Sequence, residues 1–213
     1  MDDGSLAGSL PGYTALNLAY TPDGEHLIIE GGNAVRIWRF SENRVLDPLQ
    51  GVEGNVVLSP DGMFLAFASC NERVSGTCIS KLVSLYRLSE GTVAYSLTPM
   101  TGQIQTIQFS NDGSMVAAAS RNGINIWRVM DGTTIQNMHI PNSAINVREL
   151  LFSPDGKLIV SGSEDNTLRV WQIADGKMLY ERSIGNISSI AFSPDGTFIA
   201  VLADMLELFG VSQ

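Results

Sequence analysis

One tetrapeptide turn, present five times, constrains this 213-residue chain more than any other feature. It reads Thr21-Pro22-Asp23-Gly24, Ser59-Pro60-Asp61-Gly62, Ser110-Asn111-Asp112-Gly113, Ser153-Pro154-Asp155-Gly156 and Ser193-Pro194-Asp195-Gly196, with successive aspartates 38, 51, 43 and 40 residues apart. Each residue type has a task in a tight turn. Pro presets φ, Asp accepts from the backbone two residues on, and Gly takes the positive φ that closes the turn. Apolar runs flank every copy, as in Ile190-Ala191-Phe192 before and Phe198-Ile199-Ala200-Val201 after, which is a hairpin pattern. A period near forty residues marks a unit that buries its apolar faces only by stacking on its neighbours.

Within each period a third strand carries an aromatic: Trp38, Tyr86, Trp127, Trp171 and Phe209, at 15, 25, 15, 16 and 14 residues beyond the turn aspartate. In Leu168-Arg169-Val170-Trp171-Gln172-Ile173 apolar residues fall on both sides of the alternation, so this strand is expected to be covered on both faces. A fourth, more polar strand follows an acidic-Gly turn at Glu90-Gly91, Asp131-Gly132 and Asp175-Gly176. Its polarity suits the outer edge of a wedge-shaped sheet.

These features resemble the WD-repeat β-propeller family, in divergent form and of bacterial type. Its repeats run about 40–45 residues and form four-stranded blades. The stretch from Leu150 to Trp171 is the best copy, and the five copies cover almost the whole chain. The expected fold class is all-β: a propeller of five four-stranded blades in one domain, residues 1–213. The resemblance also implies that the N-terminal strand, residues 4–10, completes the last blade. Five blades forming a ring and a piece of a longer repeat array both fit the spacing. The buried Asp–His–Ser/Thr–Trp tetrad often found in the family is incomplete. Repeat four offers Trp171, Ser161 and Asp165 without the His; repeat three has Trp127, with Ala118 where the Ser would stand.

Composition narrows the function. A net charge of −9, pI near 4.6 and only 13 scattered Lys and Arg argue against nucleic acid, which needs a basic face. No apolar run reaches the 18 residues of a membrane span. Two isolated histidines, His26 and His139, make no metal cluster, and neither a Gly-x-Ser-x-Gly elbow nor a phosphate loop occurs. No catalytic residue, metal site or cofactor is therefore expected. Glycan binding or glycoside hydrolysis is the alternative, because some five-bladed propellers carry paired acids. Here the acids mostly form turns, and the exceptions, Glu149 and Glu164-Asp165, sit in one repeat.

The expected role is a non-catalytic scaffold or protein-interaction module with an unidentified protein partner; a glycan or small molecule is not indicated. The second repeat is the most individual. About ten residues are inserted between its second and third strands, Cys70 to Ser80, with the chain's two cysteines, Cys70 and Cys78, at the two bases of that loop. A disulfide there is expected and would imply an extracytoplasmic address; free thiols would imply a cytoplasmic one. In the family the face carrying these second-to-third connections most often meets partners. Arg73, Arg121, Arg148, Glu164 and Asp165 are its candidate binding residues, together with the inter-repeat linkers around 51–54, 98–103, 141–145 and 184–186. Asn186-Ile187-Ser188 reads as a glycosylation acceptor.

Overall fold

The computed structural model describes residues 17–31, 34–46, 49–50, 52–121, 123–140 and 145–211. The chain divides into two compact units, residues 1–51 and 52–213. All the elements among the described residues are strands. In the first unit, β1 (Asn17–Tyr20), β2 (His26–Gly31), β3 (Ala34–Arg39) and β4 (Arg44–Val45) pair antiparallel in chain order, and β5 (Leu49–Gln50) also pairs with β3. This is sheet 1, with Ile28, Ile29, Val35 and Ile37 buried.

The second unit holds four sheets. Sheet 2 comprises β6 (Val52–Leu58), β7 (Phe64–Val74), β8 (Thr77–Arg87), β9 (Thr92–Ser96) and the short β10 (Met100–Thr101). Sheet 3 is β11 (Ile104–Phe109), β12 (Met115–Ser120), β13 (Gly123–Arg128) and β14 (Thr134–His139). Sheet 4 repeats that order as β15 (Val147–Phe152), β16 (Leu158–Ser163), β17 (Thr167–Gln172) and β18 (Met178–Ser183). Sheet 5 has three strands among the described residues, β19 (Ser189–Phe192), β20 (Phe198–Leu202) and β21 (Leu206–Gly210). This is the all-β, multi-blade architecture expected from the repeats. Residues 4–10, expected to supply a further strand, lie outside the described residues.

Each of the five turns is closed by the same hydrogen bonds. The Thr21, Ser59, Ser110, Ser153 and Ser193 hydroxyls donate to the turn aspartates at 2.5–2.7 Å. The same hydroxyls accept from the backbone N–H five residues on. The carboxylate accepts from the N–H two residues on. The turn glycines all stand at φ between 68° and 73°, the left-handed region that an L side chain enters only with strain.

Successive sheets of the second unit pack face to face. Val83 and Leu85 of β8, with Phe64, Ala66 and Ala68 of β7, meet Ile107, Phe109, Val116 and Trp127 of sheet 3. Ile124 and Ile126 of β13, with Ala117 and Ala119, meet Leu150, Phe152, Ile159 and Trp171 of sheet 4. Leu168 and Val170 of β17 meet Ile190, Ile199 and Val201 of sheet 5. Of the strand aromatics, Tyr86, Trp127 and Trp171 are buried, whereas Trp38 and Phe209 are half-buried. Each fully buried large side chain contributes on the order of 1.5–3 kcal/mol.

The tetrad residues show how far the repeats have diverged. In sheet 4 the Trp171 indole Nε1 donates to Ser161 Oγ at 3.1 Å. Trp127 is fully buried and its Nε1 has no partner. Register explains the difference. Trp171 lies opposite Ile159, two residues before Ser161; Trp127 lies opposite Val116, two residues before Ala118. The acceptor position is a hydroxyl in one sheet and a methyl in the other.

Two outcomes follow and are checked by denaturant unfolding. Ser161→Ala is expected to destabilise by about 1–3 kcal/mol, the cost of leaving a buried donor unpaired. Ala118→Ser is expected to stabilise, by up to about 1 kcal/mol, through the bond it offers Trp127. The turns give a third expectation. Hydrogen bonds from the Ser or Thr hydroxyl, then from the backbone, hold Asp23, Asp112, Asp155 and Asp195 below the ordinary aspartate value of 3.8, Asp195 at about 2. A depressed carboxylate pKa stabilises the fold fully above its unfolded value, and that contribution disappears as pH falls through the folded one. The melting temperature, followed by circular dichroism, is expected to hold steady down to about pH 5 and to fall steeply between about pH 4 and 2.

Candidate functional site

In the second repeat, the residues expected to form a loop extend the two strands instead. β7 and β8 are 11 residues long, against 6 for their counterparts β12 and β13, and they run on as a two-stranded ribbon to the turn Ser75-Gly76. The φ angles of Ser75 and Gly76 are 49° and 81°, the paired positive values of a two-residue hairpin turn whose twist matches the flanking strands. A signal was present in the sequence: no Pro or Gly interrupts 70–75, and Ser-Gly is a turn dipeptide.

The ribbon is irregular at its base. Cys70 lies opposite Lys81, Glu72 opposite Ser80 and Arg73 opposite Cys78, with register shifts on both sides of Glu72. These shifts bring Cys70 and Cys78 together as a disulfide pair, Cα atoms 5.8 Å apart. Asn71 Nδ2 donates to Ser80 Oγ at 3.1 Å, and Arg73 Nη1 to the Gly76 carbonyl at 3.3 Å. The tip thus carries Arg73 beside two exposed apolar side chains, Val74 and Ile79. At the foot of the ribbon Lys81 is buried, and burial pulls its pKa down.

The other candidate residues lie at the corresponding ends of sheets 3 and 4. Arg148 is the extra residue of a bulge between Val147 and Glu149, a device that re-aims a side chain. Its Nε and Nη2 donate to Glu164 Oε1 at 3.0 and 2.8 Å, and Asn146 Nδ2 donates to Glu164 Oε2 at 2.8 Å. These bonds, Arg148's first, hold the Glu164 carboxyl below its ordinary range, and Arg121 adds to the effect through its charge. Arg148 is largely solvated, so this pair contributes little to stability.

Asp165 is placed differently from its neighbour Glu164. Its carboxylate accepts from the buried Arg169, at 2.6 Å from Nη2, and from the Thr167 backbone N–H. Glu181 accepts from Arg169 Nε at 2.8 Å. Burial opposes the Arg169 charge, but the bonds to Asp165 and Glu181 outweigh it and hold its pKa up. Asp165 therefore neutralises an interior cation. Sequence reasoning missed Arg169, which sits mid-strand among apolar residues and reads as an ordinary outward-facing position.

Glu149 is half-buried, and burial raises its pKa. Six residues before each turn aspartate, the position it occupies, the other repeats carry Asn17, Asn55, Thr106 and Ser189, so no second acid accompanies it there. Among the described residues no group of three or more His, Cys, Asp or Glu is arranged to hold a metal ion, and no helix is long and apolar enough to cross a membrane. A cavity of about 690 Å³ lies between sheets 4 and 5, where Leu158, Val170 and Tyr180 face Ile199 and Phe209. Its lining includes Leu208, Phe209 and Gly210 of β21, whose outer edge has no paired strand among the described residues.

The cysteine pair is tested by thiol titration. Protein unfolded without reductant is expected to show no free thiol, and reduced protein two. On the chain-entropy model a loop of this length is worth about 2–3 kcal/mol, so reduction is expected to lower stability by up to that amount.

Comparison with known proteins agrees with this architecture. The family model of the NWD2 C-terminal beta-propeller matches residues 94–208, more than half of the chain. An uncharacterized WD repeat-containing protein of Synechocystis is 30% identical over 155 residues, 71% of this chain and 41% of that protein. Human WD repeat and SOCS box-containing protein 1 is 38% identical over 107 residues, 48% of this chain and 25% of its own. Arabidopsis autophagy-related protein 16 is 26% identical over 170 residues, 78% of this chain and 32% of its own. The chain thus spans between 25% and 41% of the length of these relatives. With its repeated turns, its stacked antiparallel sheets and this match, the chain belongs to the NWD2 C-terminal beta-propeller family of WD-repeat propellers.

Proposed function

We propose that this chain is a non-catalytic protein-interaction platform. Its partner-contacting surface comprises the Cys70–Cys78 ribbon together with Arg121, Arg148 and Glu164, at the sheet ends that carry the second-to-third-strand connections. The ribbon is the observation that carries this reading. It extends two strands well beyond the length that packing within the sheet needs, and it ends in exposed Val74 and Ile79 beside Arg73. A cross-linked hairpin loses little conformational freedom when it is bound, which favours a rigid contact element. The Arg148–Glu164 pair is solvated and supplies polar contacts of the kind that rim an interface. Asp165 is occupied by Arg169 and has a structural part in this reading.

The alternative, a glycan-binding or glycoside-hydrolysing propeller, is not favoured. Hydrolysis needs two facing carboxylates about 5–10 Å apart, and Glu149 stands without a second acid at the matching positions.

The reading is tested by comparing three baits for recovery of one partner: the unaltered protein, Val74→Asp with Ile79→Asp at the ribbon tip, and Met130→Asp at the opposite sheet ends. Binding of a partner that survives Met130→Asp is expected to weaken at least about tenfold with the tip variant, as for a contact residue in the centre of an interface. Equal binding by all three baits overturns the assignment of the ribbon. Selective retention of an oligosaccharide in place of any protein would overturn the protein-partner reading as well.

A further inference from the structure

The two register shifts in the ribbon cancel. From Phe64 opposite Arg87 to Cys70 opposite Lys81 the strands advance evenly, one residue of β7 for one of β8. Between Cys70 and Glu72, β7 advances two residues while β8 advances one, from Lys81 to Ser80. Between Glu72 and Arg73 it is β8 that advances two, from Ser80 to Cys78. Asn71 and Ile79 are thus the extra residues of two adjacent bulges, one on each strand. Beyond them, Arg73 opposite Cys78 and Val74 opposite Thr77 resume the register of the foot as though neither bulge existed. A double defect that leaves both ends of a ladder in step has a local cause, and both bulges lie between the two cysteines.

Alternation along the strands shows why the cysteines are that cause. In an unbroken ladder Asn71 would lie opposite Ser80 and Glu72 opposite Ile79, which sets Cys70 and Cys78 three rungs apart on opposite faces. Three rungs are about 10 Å along the strands. A bridge spans Cα atoms no more than about 7 Å apart. The paired bulges remove one rung, so the two cysteines fall on one face with their Cα atoms at 5.8 Å. The disulfide and the unbroken ladder therefore exclude each other. Asn71 Nδ2 already donates to Ser80 Oγ, the residue that the unbroken ladder places opposite it. Below the bulges, β10 holds Lys81 and Ser80 through Met100 and Thr101, and both residues keep their faces in either arrangement.

We propose that the Cys70–Cys78 pair is a redox-set register switch: reduction lets both bulges merge into an unbroken ladder, which exchanges the faces of the ribbon tip. The reductant is a dithiol. One of its thiolates attacks a cysteine sulfur and forms a mixed disulfide, and its second thiolate then displaces that sulfur. Two electrons and two protons pass to the chain, leaving two cysteine thiols and the dithiol as its own disulfide. The exposed residues 71–77 leave the bond open to such an attack. Once it is cut, the unbroken ladder gives Asn71 and Ile79 the cross-strand partners that bulged residues lack. A slip of one rung turns every side chain beyond it to the other face. Glu72, Arg73, Val74, Thr77 and Cys78 change faces, and Val74 and Ile79 come to share one face with Arg73 on the other. The consequence for a partner rests on the ribbon being the contact element; the change of register does not.

The register is read directly from cross-strand proton contacts in the isotopically labelled full chain by nuclear magnetic resonance. The oxidised chain should show contacts of Glu72 with Ser80 and of Arg73 with Cys78. After reduction with dithiothreitol the Glu72–Ser80 contact should be lost and contacts of Asn71 with Ser80 and Glu72 with Ile79 should appear. Arg73 should stay opposite Cys78, and the amide signals of residues 64–69 and 82–87 should not move. Reoxidation should restore the first pattern. Cys70→Ser with Cys78→Ser should show the unbroken register without any reductant. Retention of the Glu72–Ser80 contact by the reduced chain or by the double variant overturns the proposal, as does loss of all cross-strand contacts beyond Cys70. The measurement needs no partner, so its failure leaves the ribbon's part in binding to the bait comparison, and failure of that comparison leaves the register switch standing.

Discussion

The structure depends on one constraint: a sheet whose two faces are both apolar cannot stand in water on either side. In sheets 3 and 4 this is met by alternation along the third strand, Ile124 and Ile126 facing one neighbour while Trp127 faces the other, and Leu168 and Val170 set against Trp171. The rest of each repeat serves that arrangement. The hydroxyl–aspartate turn joins the first two strands without a long loop, and the polar fourth strand finishes the outer edge. Stability is then close to a sum of sheets and of the interfaces between neighbours.

Much of this was legible in the amino-acid sequence, for physical reasons that differ from element to element. The turns were readable because Ser, Pro, Asp and Gly each satisfy a local demand, and the structure closes all five with the same bonds. Strand identity followed from the aromatic at a nearly constant distance. The ribbon was legible as an insertion by counting residues between landmarks, but a count does not say whether they pair; the uninterrupted run 70–75 before Ser75-Gly76 was the signal that they do. Only the Ser75-Gly76 turn, whose backbone takes two successive positive φ angles, makes extension of both strands possible.

The candidate site was less legible. Glu164 and Asp165 are adjacent in sequence and equivalent by charge, yet one holds a solvated Arg148 and the other a buried Arg169. That division depends on which side of the bend each carboxylate falls, and on the bulge that turns Arg148 outward, neither of which has a residue code. The same limit explains Trp127. Its missing acceptor follows from Ala118 only when the register across β12 and β13 is known.

The Cys70–Cys78 link has a consequence for how such an array comes apart. It joins residues eight apart within one hairpin, so it ties no sheet to another. In a series of coupled units such a link holds one member together without adding to any interface. Within the second unit the hairpin of sheet 2 is pinned, whereas sheets 3, 4 and 5 carry no link among the described residues. The interfaces between these sheets rest chiefly on apolar packing, so a reductant loosens one hairpin and leaves the stacking of the sheets as it was.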